Sequence, residues 1–268
     1  MSVDAAYDDV LRLTRREAKN FAYGIMVLPR AKRRAIAAIY AFAREVDDVA
    51  DGDLPVDEKR VRLEALRESL DAPPAGATSV ALHDARARYG IPRDALSALV
   101  DGGLQDLEQT GYATFDDLRA YCEKVAGAVG LACIPVYGSD DTERALTLGI
   151  ALQLINVMRD VAEDLELGRV YLPQDELERF GVARLAYTPA FRELMAFQAE
   201  RARAHLDEGL RLLDSLDRRS ALCVGTFAGL YRGQLDRMEA NDFDVFDKSC
   251  RLSTRAKLGV VARNLLWA

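Results

Sequence analysis

Two aspartate pairs constrain this chain more than any other feature of its sequence. In each pair the carboxylates are four residues apart, and polar residues precede them at helical intervals. On a helix of 3.6 residues per turn, residues at such spacings lie on one face. The first stripe consists of Tyr40, Arg44, Asp47 and Asp51, and the second consists of Gln153, Asn156, Asp160 and Asp164. Both stripes lie in largely apolar segments, which predicts two buried helices with carboxylates on one face.

Carboxylates one helical turn apart repel each other, and bound cations would reverse the sign of that interaction. Mg²⁺ prefers oxygen ligands, keeps several waters and is often held by one or two carboxylates together with substrate phosphate oxygens. Gln153 and Asn156 can add neutral oxygen ligands, and Arg44, one turn before Asp47, is placed to grip a phosphate oxygen. The pattern therefore favours Mg²⁺, or Mn²⁺ in its place, held against a diphosphate.

A simpler interpretation of each stripe involves no ligand. The first acidic run precedes Gly52 and would be an exposed helix end, although anions are unfavourable at the carboxyl end of a helix. In the second stripe, Asp160 and Asp164 would pair with nearby cations such as Arg159 and Arg169. Two matched stripes in one apolar helical chain favour the functional interpretation.

The hydrophobic pattern predicts helices throughout the chain. Apolar residues recur every three or four positions in the segments 31–49, 60–70, 94–107, 116–129, 141–161, 190–216 and 221–240. Clusters of Gly, Pro and Asp separate these segments, and none is long enough for a flexible linker between domains. The sequence predicts one all-α domain that spans residues 1–268.

Charge and composition exclude several classes of function. The net charge of −7 leaves no basic excess for general nucleic-acid binding. No run of 18 uncharged apolar residues suggests a membrane-spanning helix, and the acidic N-terminus does not resemble a signal peptide. The four cysteines form no CxxC pair and the two histidines lie in no catalytic motif, so we expect free thiols, a cytoplasmic protein and chemistry without an imidazole.

Five segments make the chain recognisable: 19–29, 38–51, 121–130, 153–164 and 168–173. In combination they resemble the squalene and phytoene synthase family, the head-to-head prenyl transferases. The resemblance implies a single-domain helical bundle of the isoprenoid-synthase type with a central cavity. It also implies that two prenyl diphosphates bind with Mg²⁺ between the aspartate faces, and that ionisation of one substrate gives a carbocation that the other attacks.

The resemblance assigns roles to particular residues. It implies metal ligands at Asp47, Asp51, Asn156, Asp160 and Asp164. It implies substrate contacts from Lys19, Arg44, Gln153, Asn156, Gly127 and Gly130. It implies catalytic or cavity-lining roles for Tyr40, Arg44, Tyr121 and Tyr231. The two glycines would mark a kink or a close approach beside the substrate, with plain helix packing as the competing account.

The segment from Tyr231 looks closest to bacterial presqualene diphosphate synthases of hopanoid pathways. We therefore expect two farnesyl diphosphates as substrates and presqualene diphosphate as product, without NADPH. The alternatives are a phytoene synthase that uses two geranylgeranyl diphosphates, a full squalene synthase that uses NADPH, and a non-catalytic assembly factor of the same fold. The last would be expected to lose aspartates that are present here.

Two further features bear on substrates and partners. Many family members carry an arginine pair where this chain has Lys248 and Arg251 as the nearby cations, and Asn20 stands where some relatives have serine. We expect no counterpart of the C-terminal membrane helix of eukaryotic squalene synthases. We therefore expect any membrane contact to be peripheral, with downstream isoprenoid enzymes as further candidate partners.

Overall fold

The computed structural model describes residues 1–18, 21–247, 250, 252–253, 256–257 and 259–260. Lys19, Asn20, Lys248 and Arg251 lie outside these residues. The helices within them are α1 Val3–Glu17, α2 Phe21–Val27, α3 Arg30–Asp51, α4 Val56–Ser69, α5 Gly76–Tyr89, α6 Arg93–Asp106, α7 Phe115–Cys122, α8 Ala128–Tyr137, α9 Thr142–Arg159, α10 Val161–Glu166, α11 Gln174–Arg179, α12 Pro189–Leu210 and α13 Arg218–Ala240. In this part of the chain the β-structure is limited to an isolated parallel bridge between Gly111 and Val170. The prediction of an all-α fold is confirmed.

Two predicted helices are interrupted in the structure. A π-helical segment, Glu123–Gly127, separates α7 from α8 within the segment predicted at 116–129. The segment predicted at 141–161 ends as α9 at Arg159, and α10 begins at Val161. Hydrophobic periodicity cannot detect either interruption, because the apolar face continues across both.

Helix α3 lies at the centre of the packing and contacts α1, α5, α6 and α8. It begins after Pro29 and ends at Gly52. Its buried face includes several alanines, and these small side chains let neighbouring helices approach closely: Ala35, Ala37, Ala38 and Ala41. Helix α9 packs against α8, α12 and α13 on the other side of the molecule.

A cavity of about 630 Å³ lies among these helices. Along α3 its lining runs from Ile36 to Asp51, which at 1.5 Å per residue corresponds to a length of about 22 Å. One end is apolar and the other carries the predicted aspartates. No helix within the described residues has the length and apolar character needed to cross a bilayer.

Candidate active site at the acidic end of the cavity

Both predicted stripes face the same cavity. Helix α3 contributes Tyr40, Arg44, Asp47 and Asp51 to its lining, while α9, α10 and their junction contribute Gln153, Asn156, Asp160 and Asp164. The walls between the acidic end and the far end are mostly aliphatic and aromatic. A polar mouth on an apolar cavity suits a ligand with a charged head and a hydrocarbon tail.

The first stripe carries one ion-paired carboxylate and one that forms no ion pair among the described residues. The exposed carboxylate of Asp51 receives a hydrogen bond from Arg169 Nη1 at 3.1 Å. Arg44 pairs with Asp48, which lies one turn on, at 2.7 Å. Asp47 lies between these two ion pairs and takes part in neither.

The electrostatics of Asp47 reflect that position. Burial among protein atoms raises its pKa to about 7, the carboxylate of Asp51 adds to the rise, and the Arg44 guanidinium opposes it. Water still reaches the Asp47 side chain. The carboxylate is therefore accessible to a ligand but poorly neutralised by the protein.

The second stripe is divided at Asp160, where the backbone leaves regular helical geometry (φ −100°, ψ 12°). The helical hydrogen-bond ladder nevertheless continues, from the Asp160 N–H to Asn156 O at 2.9 Å and from the Asp164 N–H to Asp160 O at 2.8 Å. The four predicted residues therefore still line one wall of the cavity, although they do not belong to one continuous helix.

Asp160 is held by its neighbour in sequence. Arg159 donates from Nε to Oδ1 at 2.7 Å and from Nη2 to Oδ2 at 2.5 Å, and its Nη1 donates to buried Gln234 at 2.8 Å. Burial lowers the pKa of Arg159, but its bonds to Asp160 outweigh burial and the net shift is upward. The pairing of Asp160 with Arg159 matches the simpler interpretation of this stripe, whereas Arg169 pairs with Asp51.

Asp164 resembles Asp47 rather than Asp160. Burial raises its pKa to about 7, the Asp160 carboxylate contributes in the same direction, and Arg169 opposes the rise. One turn before Asp160, Asn156 donates to Gln153 Oε1 at 3.1 Å. Its own Oδ1 is buried and accepts no hydrogen bond of normal geometry from the described residues.

The predicted tyrosines all line the cavity. Burial raises the pKa of Tyr40, with Arg44 opposing the rise. Burial also raises the pKa of Tyr231, with Arg159 and Asn156 opposing it. Tyr121 is 4% exposed, and burial followed by the carboxylate of Asp106 raises its pKa strongly. All three phenols are therefore neutral at physiological pH.

The two predicted glycines mark a close helix crossing. A Cβ on Gly127 would lie 2.5 Å from Leu146 Cδ1, and one on Gly130 would lie 2.4 Å from the carbonyl oxygen of Ala145. Gly127 also ends the π-helical segment. Gly130 lines the cavity, while Gly127 lies behind its wall. A π-helical segment and tight packing against α9 are both present.

Besides Arg159, three further polar residues at the acidic end escaped the sequence prediction of site residues. Asp106 ends α6, and Arg169 and Tyr171 lie in the loop after α10. Gly168 adopts a left-handed conformation (φ +74°) that ends α10 and turns Arg169 back toward α3. Asp106 belongs to neither stripe, and a lone aspartate at a helix end carries no distinguishing signal. Arg169 and Tyr171 could have been predicted only because segment 168–173 resembles the family.

The donor set at this end suits a hard divalent cation that keeps open positions for substrate oxygens. It offers four carboxylates on two facing walls and the buried amide oxygen of Asn156. Within the described residues, no three acidic, histidine or cysteine side chains lie close enough together to hold a metal ion by themselves. A cation here would need oxygens from a ligand or from water, which is how Mg²⁺ commonly binds.

Comparison with known proteins shows which family the chain resembles. A model of the squalene/phytoene synthase family matches residues 14–258. The phytoene synthase of Mycobacterium tuberculosis is 42% identical over 98% of this chain and 91% of the relative. The 15-cis-phytoene synthase of Synechococcus elongatus is 36% identical over 96% of this chain and 91% of the relative.

Solved structures agree in fold. Squalene synthase HpnC from Alicyclobacillus acidocaldarius superposes with a TM-score of 0.84 at 29% identity, covering 90% of this chain and 95% of the other. A dehydrosqualene synthase superposes with a TM-score of 0.91 at 24% identity, covering 99% and 97%. With paired carboxylates on two walls of an apolar cavity, a match over residues 14–258 and relatives above 30% identity, the chain belongs to the squalene/phytoene synthase family.

Proposed function

We propose that this protein joins two prenyl diphosphates head to head at the acidic end of its cavity. The observation that carries the proposal is the meeting of two carboxylate-bearing walls at the mouth of an apolar cavity about 22 Å long. A prenyl diphosphate has the matching form, with a polyanionic head and a long hydrocarbon tail. Two such molecules would share the mouth with their heads and the cavity with their tails.

Asp47, Asp51, Asp160 and Asp164 would hold Mg²⁺, or Mn²⁺, with Asn156 as a neutral ligand. The bound metal supplies positive charge that stabilises the departing diphosphate. Asp47 and Asp164 support this assignment, because burial and a neighbouring carboxylate raise the pKa of each to about 7 and leave its negative charge poorly compensated. A cation at either position would reverse that penalty.

The cations of the protein would grip the diphosphate directly. Arg44 and Arg169 line the mouth, and each forms an ion pair with one aspartate, Arg44 with Asp48 and Arg169 with Asp51. Such contacts between partly exposed groups contribute little to stability and are easily exchanged for a phosphate oxygen. Lys19, which lies outside the described residues, is proposed as a further diphosphate contact.

The remainder of the cavity would protect a carbocation. Departure of diphosphate from one substrate leaves an allylic cation, and the double bond of the second attacks it to form a new carbocation. Loss of a proton from this carbocation closes the three-membered ring and gives a cyclopropylcarbinyl diphosphate as the first product. Tyr40, Tyr121 and Tyr231 line the cavity, and the faces of aromatic rings stabilise cations. Aliphatic walls from α3, α8 and α9 exclude water that would otherwise capture the cation.

For the substrate, we propose geranylgeranyl diphosphate and hence a phytoene synthase type of activity. The support is the set of relatives named phytoene synthase, which reach 42% identity over almost the whole chain. This choice reverses the preference for farnesyl diphosphate that the segment at Tyr231 suggested. The farnesyl reaction remains a second candidate, because the structure of squalene synthase HpnC superposes closely at 29% identity.

A competition assay tests both parts of the proposal. Purified protein is supplied with equimolar geranylgeranyl and farnesyl diphosphates and Mg²⁺, without NADPH, and the products are identified by mass spectrometry. We expect phytoene or its cyclopropyl precursor to dominate. Presqualene diphosphate as the main product would reverse the choice of substrate. If folded protein supplied with Mg²⁺ forms no coupled product, the proposed function is contradicted.

A further inference from the structure

Asp106 occupies an unusual position beside the two aspartate pairs. It lies at the end of α6 and belongs to neither stripe, yet it lines the same end of the cavity. Its Oδ2 accepts a hydrogen bond from the Tyr121 hydroxyl at 2.9 Å, and its Oδ1 accepts one from the Tyr171 hydroxyl at 3.0 Å. One carboxylate therefore uses a separate oxygen to hold each of two cavity-lining phenols.

The rings of these phenols are fixed by aromatic packing. The centroids of Tyr121 and Tyr171 are 5.3 Å apart, and Tyr112 lies 5.3 Å from the first ring and 5.8 Å from the second. The parallel bridge at Val170, with its N–H bonded to Thr110 O at 2.8 Å, anchors the backbone next to Tyr171. With the rings fixed, each hydroxyl can still rotate about its C–O bond, and the hydrogen bond to Asp106 prevents that rotation.

The direction of these hydrogen bonds matters for the chemistry. A phenol that donates its proton to a carboxylate directs its lone pairs elsewhere, and the charge-assisted bond increases the electron density on its oxygen. Such an oxygen stabilises a nearby positive charge better than a freely rotating hydroxyl does. It also cannot donate the same proton to water or to a leaving group.

Resting on the proposed function, we propose that Asp106 is a positioning residue that holds Tyr121 and Tyr171 as electron-rich acceptors facing the carbocation. Its role differs from that of the four stripe aspartates, because its two oxygens accept hydrogen bonds from two tyrosine hydroxyls. Burial raises the pKa of Asp106, while its bonds to Tyr121 and Tyr171 and the charge of Arg169 oppose the rise. The two phenols thus help to keep the carboxylate ionised.

The test uses Asp106→Asn, which keeps the size of the side chain but leaves a single acceptor oxygen. We expect kcat to fall by about 10- to 100-fold, the loss that small misplacements of reacting groups produce. The KM for prenyl diphosphate should change by no more than about twofold, since diphosphate binding rests on other residues. Because the cation is less well stabilised, the fraction of substrate captured by water as prenyl alcohol should rise.

A mutant cycle separates this role from a structural one. If Asp106 acts through Tyr121, adding Asp106→Asn to Tyr121→Phe should cost little further activity, and Tyr171→Phe should cause a smaller loss of the same kind. Tyr112→Phe is the matched control: its ring packs in the same cluster, but its hydroxyl is 3.5 Å from Gln105 Nε2 and does not bond to Asp106. Melting temperatures of all variants identify any that fail to fold.

The outcomes distinguish this inference from the proposed function. If wild-type protein forms no product with either prenyl diphosphate, both the proposed function and the role of Asp106 are contradicted. Active wild-type protein together with a normal product distribution in Asp106→Asn would overturn the role of Asp106 alone. Fully additive losses in the cycle, or an equal loss in Tyr112→Phe, would assign Asp106 to packing rather than to positioning.

Discussion

The two aspartate walls have the same charge pattern but build it in different ways. In each wall one aspartate is paired with an arginine, and the other has its pKa raised to about 7. In α3 the member without an ion pair among the described residues is Asp47, and Asp51 is paired with Arg169 from a distant loop. In the second wall the corresponding member is Asp164, and Asp160 is paired with adjacent Arg159.

The difference lies in how firmly each pair is held. The side chain of Asp51 is 65% exposed and accepts one hydrogen bond from Arg169. The side chain of Asp160 is 22% exposed and accepts two hydrogen bonds from Arg159, which also donates to Gln234. Buried, bidentate pairs are stronger than exposed single contacts. The second wall is thus preorganised, and the first can rearrange when a ligand binds. Equal charge patterns therefore do not imply equal rigidity.

The largest effects should come from the two unpaired aspartates. Asp47→Asn and Asp164→Asn should each lower kcat/KM by at least about 100-fold, because each removes a charge that stabilises the leaving diphosphate through the metal. The exposed neighbours Asp53→Asn and Glu166→Gln are matched controls, which should stay within about threefold of wild type. Steady-state kinetics with a prenyl diphosphate provide the measurement. Comparable losses in the controls would show that Asp47 and Asp164 have no special role.

The arginines should differ in the order that their geometry predicts. Arg159→Gln removes a bidentate partner and should cost about 10- to 100-fold in kcat/KM, the typical effect of losing a residue that orients a metal ligand. Arg169→Gln breaks one contact with an exposed carboxylate and removes one of several cations proposed to contact the diphosphate, so its cost should be about tenfold or less. An equal or larger loss for Arg169→Gln would contradict this order.

Stability should distinguish the walls as well. Gln234→Leu leaves a buried N–H of Arg159 without its acceptor, so we expect the free energy of unfolding to fall by about 1–3 kcal/mol. Urea denaturation measures the change. Gln174→Leu, at an exposed position at the start of α11, is the control and should stay within about 0.5 kcal/mol. A neutral result for Gln234→Leu would show that its bond adds nothing to the second wall.

The smallest predicted effect is a pH dependence shared by both walls. Folding raises the pKa of Asp47 and Asp164 from an ordinary 3.8 to about 7. Between those values the folded state binds more protons than the unfolded state, so these groups lower the free energy of unfolding as pH rises toward 7. Because of these two aspartates, metal-free protein should melt at a lower temperature at pH 7.5 than at pH 5.5. Replacing both aspartates with asparagine should flatten that slope, and an unchanged slope would contradict the pKa assignment.

These comparisons indicate what the sequence could predict. The all-α fold and the shared face of Asp47 and Asp51 follow from local periodicity, because residues one helical turn apart must lie together. The arrival of both walls at one cavity was expected only through the family resemblance. The break at Asp160 leaves the apolar pattern unchanged and was missed for that reason.

Contacts between distant elements were beyond prediction from local patterns. Arg169 reaches Asp51 across 118 positions of the chain, and Tyr171 reaches Asp106 across 65. Each depends on the packing of α6 and of the loop after α10 against α3. Asp106 has no repeating partner in its own helix, so its role becomes visible only in three dimensions.

The most direct test of the central claim measures the binding of inorganic diphosphate by calorimetry, with and without Mg²⁺, to wild-type protein and to Asp47→Asn, Asp164→Asn and the double variant. If both walls hold the diphosphate through metal ions, wild-type binding should require Mg²⁺. Each single variant should weaken it by about 10-fold or more, and the double variant should abolish it. Diphosphate binding that is equally tight without Mg²⁺, or that survives in the double variant, would contradict the account.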